Sequence, residues 1–179
     1  MAAAPPTPQD AERLPGPEGP GGVFAGYDDE HHPLGSYAAF AAVFGTALAG
    51  GLVALERSGR PLPDRVGAGD ILLVGVATHK LTRLIAKDRV TAFLRAPFSA
   101  YQEGAGHGEV DEAAKGTGLR KAVGELIICP YCLGQWVAGG FALGLVGAPR
   151  VTRLIAAMYA VETISDSLHL AYHAAAQRS

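Results

Sequence analysis

The residues best suited to chemistry are Cys129 and Cys132, the two cysteines of the chain, which stand in the sequence Cys-Pro-Tyr-Cys. Two thiols at this spacing bind a metal, form a redox-active disulfide or simply pack. A redox relay normally uses a second cysteine pair, and the chain has none. Redox chemistry at Cys129 and Cys132 is therefore an alternative rather than the leading interpretation.

Two histidines near the C-terminus supply the remaining ligands of a metal site. His169 and His173 lie four residues apart, and a helical hairpin that turns at residues 147–150 brings them level with the cysteines. Two thiolates and two imidazoles form a tetrahedral zinc site. The hypothesis is zinc at Cys129, Cys132, His169 and His173, and the alternative is structural thiols with solvated histidines.

The C-terminal segment also carries acidic residues on the face that bears its histidines. Glu162, Asp166, His169 and His173 follow one another at helical steps of four, three and four. Ionisable side chains at membrane depth are costly unless they are paired or functional. Pairing of Glu162 or Asp166 with His79 or Arg83 is therefore predicted as the alternative to a functional role.

Four apolar segments must position these residues. The chain is 49% hydrophobic and only 18% charged, which is apolar for a soluble domain. A helix of about 20 residues crosses a hydrocarbon core about 30 Å thick. The sequence therefore predicts an all-α integral membrane protein with a membrane domain at residues 34–175 and transmembrane helices at about 36–55, 70–86, 126–146 and 151–173.

The segment between the second and third of these helices is more polar. Asp88 is a plausible helix N-cap, and the apolar spacing over residues 88–98 predicts a short amphipathic helix that lies in the headgroup plane. The glycine-rich residues 99–125 are predicted to form a polar loop. Gly140 and Gly144 form a GxxxG motif, which favours close helix contact within one chain, in a homo-oligomer or with a membrane-protein partner.

The N-terminal residues 1–33 are rich in proline, glycine and acidic side chains. Such a composition buries too little apolar surface to fold, so a disordered tail is predicted. It lacks the basic start of a signal peptide, and the first apolar segment is expected to direct membrane insertion without cleavage. The net charge of −2 and the absence of a basic patch argue against nucleic acid as a partner.

Two sequence blocks together resemble a known family. HKLTRLIAKDRVTAFLRAPF at residues 79–98 and CPYCLGQW at residues 129–136 are similar to the bacterial membrane-protein family catalogued as domain of unknown function 1360. The resemblance covers roughly residues 66–175. It implies a small multi-pass membrane protein of bacteria, some members of which are labelled sporulation-related, and it implies no reaction.

Basic residues favour one orientation in the bilayer. With four transmembrane helices, the side that holds both termini and residues 87–125 carries more Lys and Arg than the other side. The positive-inside rule then predicts a cell-membrane protein with both termini in the cytoplasm. The sequence contains no phosphate-binding loop or nucleophile elbow, so it favours a non-enzymatic accessory or scaffold protein over the zinc-binding and redox alternatives.

Overall fold

Six α-helices and one β-hairpin make up residues 32–178, the part of the chain that the computed structural model describes. The elements are α1 (Leu34–Arg57), α2 (Ala68–Ala86), α3 (Ala92–Arg95), β1 (Ser99–Gly106), β2 (Glu109–Ala114), α4 (Gly118–Ile128), α5 (Pro130–Gly147) and α6 (Pro149–Ala176). The predicted helical class is confirmed. All but the last two residues of the predicted N-terminal tail, residues 1–33, lie outside the described residues.

Helix α1 begins after Pro33 and has no charged residue before Glu56. It ends where Gly59 adopts a positive φ of 78°, which is a left-handed conformation that glycine adopts without strain. There the amide of Arg60 donates a hydrogen bond to the carbonyl of Leu55. This glycine closes the helix and starts the loop that leads to α2.

Helices α2, α5 and α6 pack around a core of small side chains. Ala77 and Ala156 are fully buried, and Phe141 is buried beside them. Gly144 allows α5 to approach α6 closely, because a Cβ at this position would lie 2.6 Å from Oγ1 of Thr152. Gly140 has no neighbour within 4 Å of a Cβ position, so one half of the GxxxG motif serves the α5–α6 hairpin.

Two ion pairs show the relative direction of α2 and α6. Asp70 accepts two hydrogen bonds of 2.8 Å from Arg153, and Lys80 donates one of 2.8 Å to Asp166. The earlier residue of α2 pairs with the earlier residue of α6, and the later with the later, so α2 and α6 run in the same direction. Helix α5 forms a hairpin with α6 and runs opposite to it. The start of α5, the end of α2 and the end of α6 therefore lie at one end of the bundle.

Helix α1 packs against α5 and joins the bundle of α2, α5 and α6. The rings of Phe44 and Trp136 meet edge to face with their centroids 5.4 Å apart. The hydroxyl of Tyr37, near the start of α1, donates to the carboxylate of Glu125 on α4. The start of α1 therefore lies at the same end of the bundle as the start of α5.

The predicted transmembrane helix at residues 126–146 is broken. Helices α4 and α5 meet at an angle of 80° across Cys129. Pro130 explains the break, because proline has no amide hydrogen to continue α4 and its ring forces the preceding residue into extended backbone. Cys129 has a φ of −100° and a ψ of 105°, so it ends one helix and begins the next.

Residues 88–125 also differ from their predicted structure. In place of one helix over 88–98, a 3-10 turn (Arg89–Thr91) precedes the single turn of α3. In place of a loop over 99–125, the chain forms the antiparallel hairpin β1–β2 and the first two turns of α4. Gly106 and Gly108, both with positive φ, make the hairpin turn that the sequence interpretation missed.

By length and composition, α1 is the one described helix that is apolar enough to cross a membrane, and the bent pair α4–α5 adds a second if it counts as one span. Helices α2 and α6 carry charged residues such as Asp70, Lys80, Glu162 and Asp166 within their apolar sequences. Their composition therefore does not support the predicted four transmembrane helices.

Candidate functional site

Two side chains of the segment after α2 cap the carboxyl end of that helix. The last four carbonyls of an α-helix lack partners within the helix. The hydroxyl of Thr91 donates to the carbonyl of Leu84, and the guanidinium of Arg95 donates to the carbonyl of Ile85 at 2.6 Å. The segment that resembles the family pattern therefore folds back on the helix that precedes it.

Arg95 is fully buried and uses its donors on four groups. Besides the carbonyl of Ile85, it donates to the hydroxyl of Thr91 at 2.9 Å, to the carbonyl of Asp88 at 3.0 Å and to the carboxylate of Glu112. The side chain of Glu112 is only 6% exposed. A buried guanidinium needs such a charged partner, because an unpaired charge in the interior is strongly destabilising.

The hairpin contributes two more carboxylates on its other face. Glu109 accepts from Arg83 at 2.9 and 2.7 Å, and Asp111 accepts from Lys87 at 2.8 Å. Residues two apart on a strand share one face, and residues four apart on a helix share one face. The spacing Glu109–Asp111 therefore matches the spacing Arg83–Lys87, while Glu112 points the opposite way.

Backbone hydrogen bonds complete the attachment of the hairpin. The amide of Arg89 donates to the carbonyl of Gly108, and the amide of Val110 donates to the carbonyl of Lys87, both at 2.9 Å. Residues 87–117 thus form one connected structure at the end of α2, which we call the hairpin unit. Its outer surface exposes the apolar side chains of Val90, Phe93 and Leu94, beside an open cleft of about 500 Å³ lined by residues of α3, β1 and β2.

Asp88 lies just after the end of α2, within range of the charges of two acidic residues of α6. It occupies the N-cap position of the 3-10 turn, but its side chain makes no capping hydrogen bond. Burial raises the pKa of Asp88, and the charges of Glu109, Asp166 and Glu162 raise it further, against the opposing effect of Lys80. Burial, together with the surrounding acidic groups, therefore disfavours the ionised form of Asp88.

Two of the other predicted polar residues have partners that differ from the predicted ones. Asp166 pairs with Lys80 rather than with His79 or Arg83, and Arg83 pairs with Glu109. His79 and Glu162 are exposed. Asp166 therefore pairs with α2, but its partner there is Lys80, one residue beyond His79.

The predicted zinc ligands are not brought together. Cys129 and Cys132 form a disulfide with each other, with their Cα atoms 5.3 Å apart. His169 and His173 lie on exposed turns near the end of α6, where the ring of His173 contacts that of Tyr172. Within residues 32–178, no three His, Cys, Asp or Glu side chains are grouped so as to hold a metal ion.

The sequence interpretation missed Glu109 and Glu112, which hold the hairpin in place. The sequence indicates their role in the segment from Gly106 to Glu112, where two glycines flank one residue and acidic side chains follow. Glycines around a single residue indicate a tight turn, and carboxylates just after it are candidates for the basic residues of α2. Read as a hairpin rather than a loop, this segment would have supplied the partners of Arg83 and Arg95.

The region that contains the hairpin unit is also the region with known relatives. The model of a family described as protein of unknown function, DUF1360, matches residues 73–172, which is more than half of the chain. The chain belongs to this family. The match begins within α2 and ends within α6, so it includes the hairpin unit and the cysteine pair but not α1. The family resemblance of the two sequence blocks is confirmed.

Two relatives come from Bacillus subtilis. The one named Sporulation protein YjcA is 33% identical over 94 residues, which are 51% of this chain and 80% of the relative. The one named UPF0713 protein YngL is 30% identical over 89 residues, which are 49% of this chain and 66% of the relative. No solved structure matches the chain significantly.

Proposed function

We propose that this protein is a multi-pass membrane protein that acts as an accessory or scaffold in the bacterial envelope and presents the hairpin unit at the cytoplasmic face. The observation that carries the proposal is the outward orientation of large apolar side chains on the bundle. Those at least half exposed on α1, α2 and α6 include Val43, Ile71, Leu72, Leu154, Met158, Val161, Ile164 and Leu168. A soluble monomer rarely exposes so much apolar surface, whereas lipid covers it.

Helix α1 is the strongest element of the proposal. Its 24 residues include no buried side chain, and at 1.5 Å per residue they extend about 36 Å, enough to cross a hydrocarbon core. Because α1 precedes the residues that match the family, it adds an anchor to the shared domain. An apolar helix that is long enough to span and is not buried by the rest of the protein is best accommodated by lipid.

The charges of α2 and α6 are compatible with the same environment. Asp70 pairs with Arg153, and Lys80 pairs with Asp166, so these four charges neutralise one another across the helix interface. Pairing is the usual way in which ionisable side chains are accommodated between transmembrane helices. The paired charges support α2, α5 and α6 as companions of α1 in the bilayer.

Extraction of the full chain from bacterial membranes tests the anchor. The protein is expected to stay in the membrane pellet after treatment with alkaline carbonate, which releases peripheral proteins. The double variant Val43→Asp/Ala47→Asp places two charges on exposed positions of α1. Each charge costs about 2.5–3.5 kcal/mol at the centre of a transmembrane helix, so the variant is expected to be retained less in the pellet. The matched control is Val66→Asp in the exposed α1–α2 loop. Release of the wild-type protein by carbonate would contradict the proposal.

The link with sporulation rests on the name of one relative, Sporulation protein YjcA. We propose that this chain shares that context as an accessory protein. A fluorescent fusion produced in Bacillus subtilis is expected to collect in the membranes of sporulating cells. A fusion that stays evenly distributed in the cytoplasm would argue against both the sporulation context and the membrane location.

A further inference from the structure

The disulfide Cys129–Cys132 lies at an exposed corner of the fold. The chain bends by 80° between α4 and α5 at Cys129, and the next residues begin an 18-residue helix. Cys132 is exposed, and Tyr131 between the cysteines is 92% exposed. A bulky partner can therefore approach Cys132. Such an approach would be impossible if the disulfide lay within a packed core.

The two sulfurs differ in their surroundings. Cys129 is the N-cap residue of α5, is only partly exposed, and its Sγ accepts a hydrogen bond of 3.2 Å from the backbone amide of Cys132. An N-terminal amide and the positive end of the helix dipole favour a thiolate over a thiol. When the disulfide opens, Cys129 is therefore the better leaving group and Cys132 is the sulfur that a partner reaches.

A purely structural role explains this bridge poorly. The stabilisation that a disulfide gives through chain entropy grows with the length of the loop that it closes. Cys129 and Cys132 are three residues apart, and Pro130 already fixes the bend between the helices. The bridge therefore adds little to the constraint that the backbone has without it.

We propose that Cys129 and Cys132 form a reversible dithiol/disulfide pair that exchanges with a partner protein carrying two thiols. The first partner thiolate attacks Sγ of Cys132, the Cys129–Cys132 bond breaks, and Cys129 leaves as a thiolate held by the Cys132 amide. The second partner thiolate then attacks the partner sulfur of the mixed disulfide, and Cys132 leaves as a thiolate. The partner is oxidised by two electrons, the pair is reduced by two, and the two protons lost by the partner thiols are available to the new thiolates.

Equilibration of the purified full chain with glutathione tests the proposal without any variant. Mixtures of reduced and oxidised glutathione of graded ratio are applied to the protein in detergent, and thiols are trapped with maleimide and counted by mass spectrometry. The pair is expected to pass from disulfide to dithiol within the range of ratios. A pair that stays oxidised in every mixture is structural, and one that stays reduced in every mixture is not a redox pair; either result would overturn the proposal.

Single-cysteine variants test the assigned roles. The reference thiol is Ser58→Cys, an exposed loop position, made in a chain with Cys129→Ser and Cys132→Ser. With glutathione disulfide, Cys129→Ser is expected to keep a mixed disulfide on the exposed Cys132, formed at a rate close to that of the reference. Cys132→Ser is expected to react more slowly, because access to the partly exposed Cys129 limits its rate more than its thiolate fraction raises it. The reduced wild-type chain is expected to release glutathione and close its own bridge, so persistent adducts on it would refute the exchange.

A chelator distinguishes this redox pair from a metal site. The wild-type thiols are expected to become titratable with reductant alone. If the thiols stay unreactive in the presence of reductant and become free only after a zinc chelator is added, Cys129 and Cys132 bind metal and the proposal is overturned. The membrane proposal is independent of this result, because carbonate extraction does not depend on the state of the cysteines.

Discussion

Removal of the carboxylate of Glu112 is expected to cost far more stability than removal of its neighbour Asp111. In Glu112→Ala the guanidinium of Arg95, which is 0% exposed, keeps its charge but loses its ionic partner. Breaking one member of a buried ion pair typically costs about 3–5 kcal/mol. Asp111 pairs with Lys87 at the surface, where its side chain is 48% exposed, and such a pair contributes only about 0–1 kcal/mol.

The assay is denaturant unfolding of the full chain in mild detergent, followed by circular dichroism, with amide hydrogen exchange to locate the change. Glu112→Ala is expected to lower the free energy of unfolding and to remove the protection of the Val110 amide, while Asp111→Ala leaves both close to wild type. Glu112→Gln, which keeps an acceptor without the charge, should fall between them. Equal losses for Glu112→Ala and Asp111→Ala would refute the assigned importance of the buried pair.

Three further predictions follow from close contacts and charges. Gly124→Ala places a Cβ 2.5 Å from the carbonyl of Phe98 and should lower the free energy of unfolding by about 1–3 kcal/mol, whereas Gly45→Ala, with nothing within 4 Å, should not lower it. Gly144→Val should destabilise the α5–α6 hairpin, and Gly140→Val serves as its open control in the same unfolding assay. The pKa of Asp88 is raised in the folded state, so folding favours its protonated form. Its contribution to stability is therefore present at acid pH and is lost as pH rises through the folded pKa. Asp88→Asn should stabilise the protein at neutral pH and lose that advantage in acid. A stability difference between Asp88→Asn and wild type that does not change with pH would contradict this cause.

The long helices could be predicted because each contains a long, mainly apolar stretch, although α2 and α6 also carry charged residues. The predicted spans 36–55, 70–86 and 151–173 lie within α1, α2 and α6. The prediction of one unbroken helix over residues 126–146 was wrong. Hydropathy treats Cys-Pro-Tyr-Cys as part of an apolar segment, but the residue before Pro130 cannot continue a helix. Apolar composition predicts burial or lipid contact, but it does not detect a bend.

The hairpin unit was missed for a different reason. It is attached to α2 in part by charges that meet across 17 to 26 residues of sequence, as in Arg95–Glu112 and Arg83–Glu109. The pattern on one element shows that Arg83 needs a partner, but it does not show which element returns to supply one. For the same reason, Asp166 was assigned to the correct helix pair but not to Lys80.

The cysteine pair was predicted as a candidate site, and its bonding depends on local backbone. The N-cap position of Cys129 follows from the proline after it, so the sequence contains the information for its hydrogen bond with the Cys132 amide. The zinc hypothesis required His169 and His173 to approach the same corner. Helix α6 packs along α2 through the buried Ala77 and Ala156, beside the ion pair Lys80–Asp166, and its histidines lie on exposed turns.

The most direct test of the membrane proposal is labelling of single cysteines with a water-soluble maleimide in whole cells. The positions are Ser58→Cys in the α1–α2 loop, Ile164→Cys on the outer face of α6 and His107→Cys at the hairpin tip, each without Cys129 and Cys132. The proposed topology predicts that Ser58→Cys reacts in intact cells, that His107→Cys reacts only after the membrane is permeabilised, and that Ile164→Cys, which is 59% exposed in the bare protein, reacts only after detergent removes the lipid. Equal labelling of Ile164→Cys and His107→Cys in permeabilised cells without detergent would contradict a transmembrane α6.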